Sequence, residues 1–170
     1  MARLDWKRGR FGADYETYEI NSALSGYQSN FGDVIDYYRF IKSESRVNDI
    51  YDEGDLVGKV FADPIRLPVL HVIHQEGPNE DEDTGFYYND DLNVTASFSQ
   101  ITRAGLTLAD LETQRYLKDR MVYNGKPFRV TAINILGQIQ QRDVIVGIEG
   151  TQLRGDELVN DLQFAQWSQP

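Results

Sequence analysis

The sequence predicts a mainly β protein: a small β-barrel or sandwich ending in an antiparallel meander, with long loops, one or two short helices and extended terminal arms. Three observations carry that expectation. Asn124-Gly125 stands between two apolar-rich runs, 120–123 and 128–133, and Asn-Gly is the pair a type I′ hairpin turn favours, because both central residues take positive φ. A third run, 144–149, follows, so 119–152 reads as a three-strand meander. Residues 92–99 alternate, with Leu92, Val94, Ala96 and Phe98 on one face and polar residues on the other, which is the pattern of a half-buried strand.

The remaining elements follow in chain order. Residues 1–32 are basic, then acidic and aromatic, then polar; they predict an N-terminal arm with a short helix around 14–24. Residues 34–41 (VIDYYRFI) are β-branched and aromatic and predict a strand. Residues 43–58 are acidic and glycine-punctuated, a loop with a short turn. Residues 65–74 (IRLPVLHVIH) predict the next strand, with Pro68 placing that end at a sheet edge or bulge, since proline cannot donate to a ladder. Residues 76–85 (EGPNEDEDTG) predict an acidic loop. The best helix spans 106–116: Thr107 can cap it, Asp110 sits three residues on as in a capping box, and Leu108 and Leu111 are at helical spacing. The organisation expected is an N-terminal arm (1–32), a β-barrel domain (33–154) and a C-terminal docking arm (155–170).

At 170 residues, 41% hydrophobic and 26% charged, the chain suits one domain with its own core. The N-terminus has basic residues but no apolar stretch of the secretory kind, and no run approaches the roughly 18 apolar residues of a membrane helix. With no cysteine, disulfides, thiolate catalysis and Cys-ligated metal sites are excluded. The net charge is −10, unevenly placed: residues 1–10 set Arg3, Lys7, Arg8 and Arg10 against Asp5, a net of +3 that leaves −13 on the rest. An acidic body argues against wrapping nucleic acid, which needs Lys and Arg against phosphates. It suits solubility, and it suits a surface past which DNA slides without being gripped.

Candidate chemistry is sparse. Residues 79–85 place oxygen ligands at Asn79, Asp81 and Asp83, but the glycine falls one residue late for a calcium loop and Asp90 stands where a bidentate Glu belongs. A solvated loop is the expectation. Asp49, Asp52, Glu53 and Asp55 form a second acidic cluster on a loop, suited to a partner's basic residues rather than to acid–base work. His71 and His74 are three apart, so on a strand they face opposite sides and cannot share a metal. There is no Gly-x-Ser-x-Gly elbow, Gly-x-Gly-x-x-Gly loop or Walker motif. Asn93-Val94-Thr95 matches a glycosylation acceptor but reads as strand sequence. No catalytic residue, cofactor or metal is expected. The aromatics Tyr37-Tyr38, Phe86-Tyr87-Tyr88, Phe164 and Trp167 divide between core filling and interface. Phe164 and Trp167 are the strongest interface candidates, because a chain end orders only when it docks.

Four blocks, VNDIYDEG (47–54), LPVL (67–70), DRMVYNG (119–125) and GDELVND (155–161), together resemble the head-to-tail connector proteins of tailed bacteriophages. The chain looks most like the stopper, or neck, proteins of actinobacterial siphophages. The resemblance implies a small β-barrel with long loops, assembled as a homo-oligomeric ring in the virion neck and made in the host cytoplasm. Such a ring joins the DNA-filled head to the tail and lines or gates the DNA exit channel. Its partners would be copies of itself, a portal-side adaptor, tail-terminator or tail-tube proteins, and genomic DNA passing without sequence-specific contact; no membrane is involved. The chain is longer than compact stoppers, which keeps a tail terminator or another tail-associated ring protein open. A calcium- or ligand-binding β domain is a further alternative.

Ring closure needs two different contact faces per subunit. The basic Arg3, Lys7 and Arg8 and the acidic Asp49, Asp52, Glu53, Asp81 and Asp83 supply opposite-sign surfaces for neighbouring copies, with Phe164 and Trp167 as apolar anchors.

Overall fold

The computed structural model describes residues 13–45, 58–77, 80–82, 85–87, 90–139, 142–153, 155–158 and 163–164. Nine strands carry the architecture: β1 (Asp33–Tyr38), β2 (Ile65–Val69), β3 (His71–Gln75), β4 (Glu80–Glu82), β5 (Gly85–Tyr87), β6 (Asp91–Ser97), β7 (Arg120–Tyr123), β8 (Lys126–Ile139) and β9 (Arg142–Gln152). Seven of them form one antiparallel sheet in the order β2-β1-β7-β8-β9-β6-β3. The chain is thus mainly β, as the sequence predicts.

The two terminal strands of that order are consecutive in the chain, separated by Leu70 alone. They are two halves of one bent strand: β2 pairs with β1, and β3 pairs with β6. At the corner the Leu70 N–H donates to the Thr95 carbonyl at 2.7 Å. The sheet therefore closes on itself as a barrel rather than opening into a sandwich, which hides most of its backbone edges. Pro68 lies opposite Val34 just before the corner where the ladder passes from β1 to β6. The ladder with β1 runs unbroken through Pro68, and β1 is the one partner of β2 among the described strands, the sheet-edge placement that the missing N–H predicts. The single strand expected over 65–74 is split at the corner because its two halves serve opposite neighbours.

The meander forms as expected. Asn124 (φ 49°) and Gly125 (φ 76°) take the positive φ values of the tight turn between β7 and β8. Its strands run further than the apolar pattern suggests. β8 has 14 residues, of which only Lys126–Arg129 pair with β7, while β9 follows it to Arg142.

Inward residues of β1, β2, β6, β7, β8 and β9 fill the barrel: Ile35, Tyr37, Leu67, Val69, Leu92, Val94, Met121, Phe128, Val130, Val146 and Ile148, with Val72 of β3 partly buried against them. Helices α2 (Phe98–Arg103) and α3 (Leu108–Glu112) follow β6, and Ile101 and Leu106 join the same core. The expected strand end at Phe98 is instead the start of α2. Thr107 and Asp110 make the full capping box at α3, including the Asp-for-Glu exchange. A 3-10 turn, Arg115–Lys118, leads into β7.

A second, smaller core lies on the outer face of β1 and β7. Tyr38 and Val122 alternate with the inward Tyr37 and Met121, and they are covered by Phe61, Leu153, Leu158 of α4 (Gly155–Leu158) and Phe164. Phe164 meets Tyr38 at 4.9 Å and Phe61 at 5.1 Å, both edge-on.

Two expectations are corrected. Within the expected arm 1–32, the described part is a 19-residue helix, α1 (Ala13–Phe31), well beyond the predicted 14–24. Asp14 and Glu16 sit in its first turn, where negative charge favours a helix N-terminus. Asp14 pairs with Arg142 at the tip of the β8–β9 hairpin, and Gly32 ends the helix against β2. Within the acidic stretch 76–85, Glu80–Glu82 and Gly85–Tyr87 pair as a separate two-stranded ribbon rather than an open loop.

Candidate functional site

Two buried carboxylates organise the polar interior, and neither stood out in the sequence. Asp119 precedes β7. Its Oδ2 accepts from the Tyr37 hydroxyl at 2.6 Å, and its Oδ1 accepts from the Phe40 N–H at 2.8 Å. Burial pushes its carboxyl above the ordinary range; the bonds from Phe40 and Tyr37 and the charges of Arg39 and Arg120 oppose this but do not cancel it. Tyr37 is pushed well above its usual value by burial and by the Asp119 charge. The pair ties the end of β1, and the turn after it, to the start of β7.

Asp90 holds the opposite balance. Burial alone would push its carboxyl up, but Lys126 at 2.8 Å, His74 at 2.9 Å and the Gly77 N–H at 3.3 Å outweigh burial and hold it below the ordinary range. The Asp90 carbonyl also accepts from the Gln152 N–H at 2.8 Å. The carboxylate thereby clamps β3 and the start of β8 beside the start of β6, and the backbone carbonyl of the same residue adds the end of β9. A His–Asp pair is half of a nucleophilic triad. The hydrogen bonds of His74 among the described residues include no hydroxyl, however, so the cluster as built is a clamp.

A third carboxylate, Asp110, is held low by the backbone and side chain of Thr107, and it lies 3.6 Å from Arg39 and 3.7 Å from Arg115. Its work is to cap α3.

Several outward-facing side chains are large and apolar. β8 leaves the barrel after Ile133, and beyond it Ile135 and Leu136 are 36% and 61% exposed. On β3, Ile73 is 44% exposed. Helix α1 has one half-covered stripe (Thr17, Ile20, Leu24, Gln28) and leaves Tyr18, Tyr27 and Phe31 open, with the Tyr27 and Phe31 rings 5.5 Å apart and tilted by 40°. At the foot of α1, Val34 and Pro68 pair across β1 and β2 and line a shallow depression with Asp36 and Arg66.

The residues singled out for interfaces fall unevenly on this frame. Arg3, Lys7, Arg8, Asp49, Asp52, Glu53, Asp83 and Trp167 lie outside the described residues. Asp81 is in β4, opposite Phe86 of β5. Phe164 is fully buried in the second core, so the expectation that it anchors a partner is corrected: it docks on its own barrel. Its aromatic bulk beside a polar chain end read as an interface anchor. The choice depended on Tyr38 and Phe61 being outward on the barrel wall.

No protein-family model and no curated protein matches the chain. Among solved structures, a chain from the virion of a native gene transfer agent particle is similar, at a TM-score of 0.44 and 6% sequence identity, over 71% of this chain and 94% of that chain.

Proposed function

We propose that this chain is a virion structural protein of a tailed phage, a ring-forming connector subunit at the head–tail junction. The observation that carries this reading is the division of labour in the fold. The described buried acids tie strands together inside, while the exposed apolar side chains gather on elements that reach outward: the β8–β9 extension and α1. A subunit that acts by contact needs that arrangement. Three of the four sequence blocks fit it as scaffold, and VNDIYDEG (47–54) lies outside the described residues. DRMVYNG supplies Asp119 and the β7–β8 turn, LPVL supplies the barrel corner, and GDELVND includes the helix that covers the second core.

The stopper role accounts best for a closed barrel with long outward segments and an acidic body that would let DNA slide. Its neighbours would be copies of itself, an adaptor on the head side and a terminator or tube protein on the tail side. The test is electron microscopy of particles made with and without this chain. Loss of the chain should leave heads that do not join to tails, and tagged protein should decorate the joint. Normal joined particles without it would overturn the reading.

A further inference from the structure

Closing the barrel does not cover every backbone edge. Past Arg129, β8 has no β7 residue opposite it, so from Thr131 to Ile139 it is paired only with β9 among the described strands. That stretch, TAINILGQI, contains no charge and no proline. Edge strands are ordinarily blunted by charge, proline, brevity or bulges; this one lacks the first three, and its register with β9 shifts at 130/132, 135/137 and 137/138 without ending the pairing. A second open edge among the described strands is β3, the terminal strand of the sheet order, which pairs there with β6 alone and carries the exposed Ile73.

The placement of the two edges is informative. Around the barrel the order is the bent strand β2/β3, then β1, β7, β8, β9 and β6. β3 and β8 are therefore three positions apart whichever way one counts, on opposite flanks of the molecule. Because every neighbouring pair is antiparallel, the two also run in opposite directions. A head-to-tail assembly requires two different, complementary surfaces on one subunit. What an open strand edge recognises is another extended backbone, through alternating N–H and C=O groups.

We propose that the β8 edge (134–139) of one copy pairs antiparallel with the β3 edge (71–75) of the next, continuing the sheet from subunit to subunit. The neutral, β-prone β8 segment supplies the main-chain ladder, and Ile135, Leu136 and Ile73 close around it. This identifies the mode of self-assembly, and it rests only on the self-assembling part of the function proposed above.

The chain has no cysteine, so single thiols can be introduced cleanly at two exposed positions, Leu136→Cys and Ile73→Cys. Treating the purified proteins with a short flexible bis-maleimide should link a mixture of the two single variants into dimers. It should link the double variant into a ladder, and leave each single variant alone unlinked. Ile135→Lys should weaken self-association at least tenfold in sedimentation while leaving the melting temperature unchanged.

A dimer from Leu136→Cys alone would mean that β8 pairs with itself about a two-fold axis, and would overturn the proposal. So would a chain that stays monomeric, or association indifferent to Ile135→Lys. Particles that incorporate the chain without any 136–73 link would remove edge pairing and leave the connector reading standing. A ladder from a chain found in no particle would do the reverse.

Discussion

Asp119 and Asp90 are both buried, and they respond to pH in opposite senses. Asp90 is held below the unfolded value of about 3.9, so its clamp contributes fully at neutral pH and is lost as pH falls through its lower folded value. Asp119 is raised, so its contribution is fullest below about 3.9 and is lost as pH rises through its higher folded value. Asp119→Asn removes only the second effect. Urea denaturation of wild type and variant between pH 4 and 7 should show wild type losing ground to the variant as pH rises. Parallel curves would mean that Asp119 does not carry the dependence. Asp119→Ala is a harsher change, because it strands the Tyr37 hydroxyl and the Phe40 N–H inside the protein; about 2–4 kcal/mol of stability should be lost. In the sequence Asp119 is only the first residue of the 119–152 meander. Its partners lie 82 and 79 residues away, a convergence that no local pattern records.

At the scale of elements, the turn chemistry was fully legible. Asn124-Gly125 has the φ values that its composition demands, and Gly125→Val should cost about 1–2 kcal/mol by forcing a branched residue into the left-handed region, measurable as a lower urea midpoint. The capping box was legible for the same reason: its interactions close within four residues. The end of α1 was not. A Cβ on Gly32 would stand 2.5 Å from the Gln28 carbonyl oxygen and 2.6 Å from that of Val69, both backbone atoms. Gly32→Ala should therefore push α1 off the corner of the barrel. The expected result is faster hydrogen exchange in 28–35 with little change in 120–130; unchanged exchange at the helix end would refute the close approach. Here the signal was a glycine between a polar helix and a strand, and only the approach of Val69 gives it a reason. The length of β8 was hidden too, because past Ile133 its side chains are exposed on both faces and the alternation that marks a strand fades.

At the scale of the whole molecule, the barrel core and the outer core are separate clusters joined through the wall that β1 and β7 share. Ending the chain after Gly155 would remove Leu158 and Phe164 and uncover Tyr38, Phe61 and Val122. The truncated chain should keep its β circular dichroism, bind a hydrophobic dye and lose about 3–5 kcal/mol, the usual cost of deleting a buried aromatic. If stability is unchanged, the outer core contributes nothing. In the proposed neck ring, the same truncation should also leave heads and tails unjoined.

The sequence by itself determined the mainly β class, the meander and its turn, the capped helix and the lack of cysteine chemistry. Each rests on contacts within a few residues or on composition. Only the tertiary structure decided that the strand at 65–75 bends at Leu70 to close a barrel, that Phe164 turns inward, that Asp90 and Asp119 are buried clamps, and that β3 and β8 keep open edges on opposite flanks. Those outcomes depend on which distant backbone lies beside each residue. Closure of the barrel sets that, and the local periodicity of the chain does not encode it.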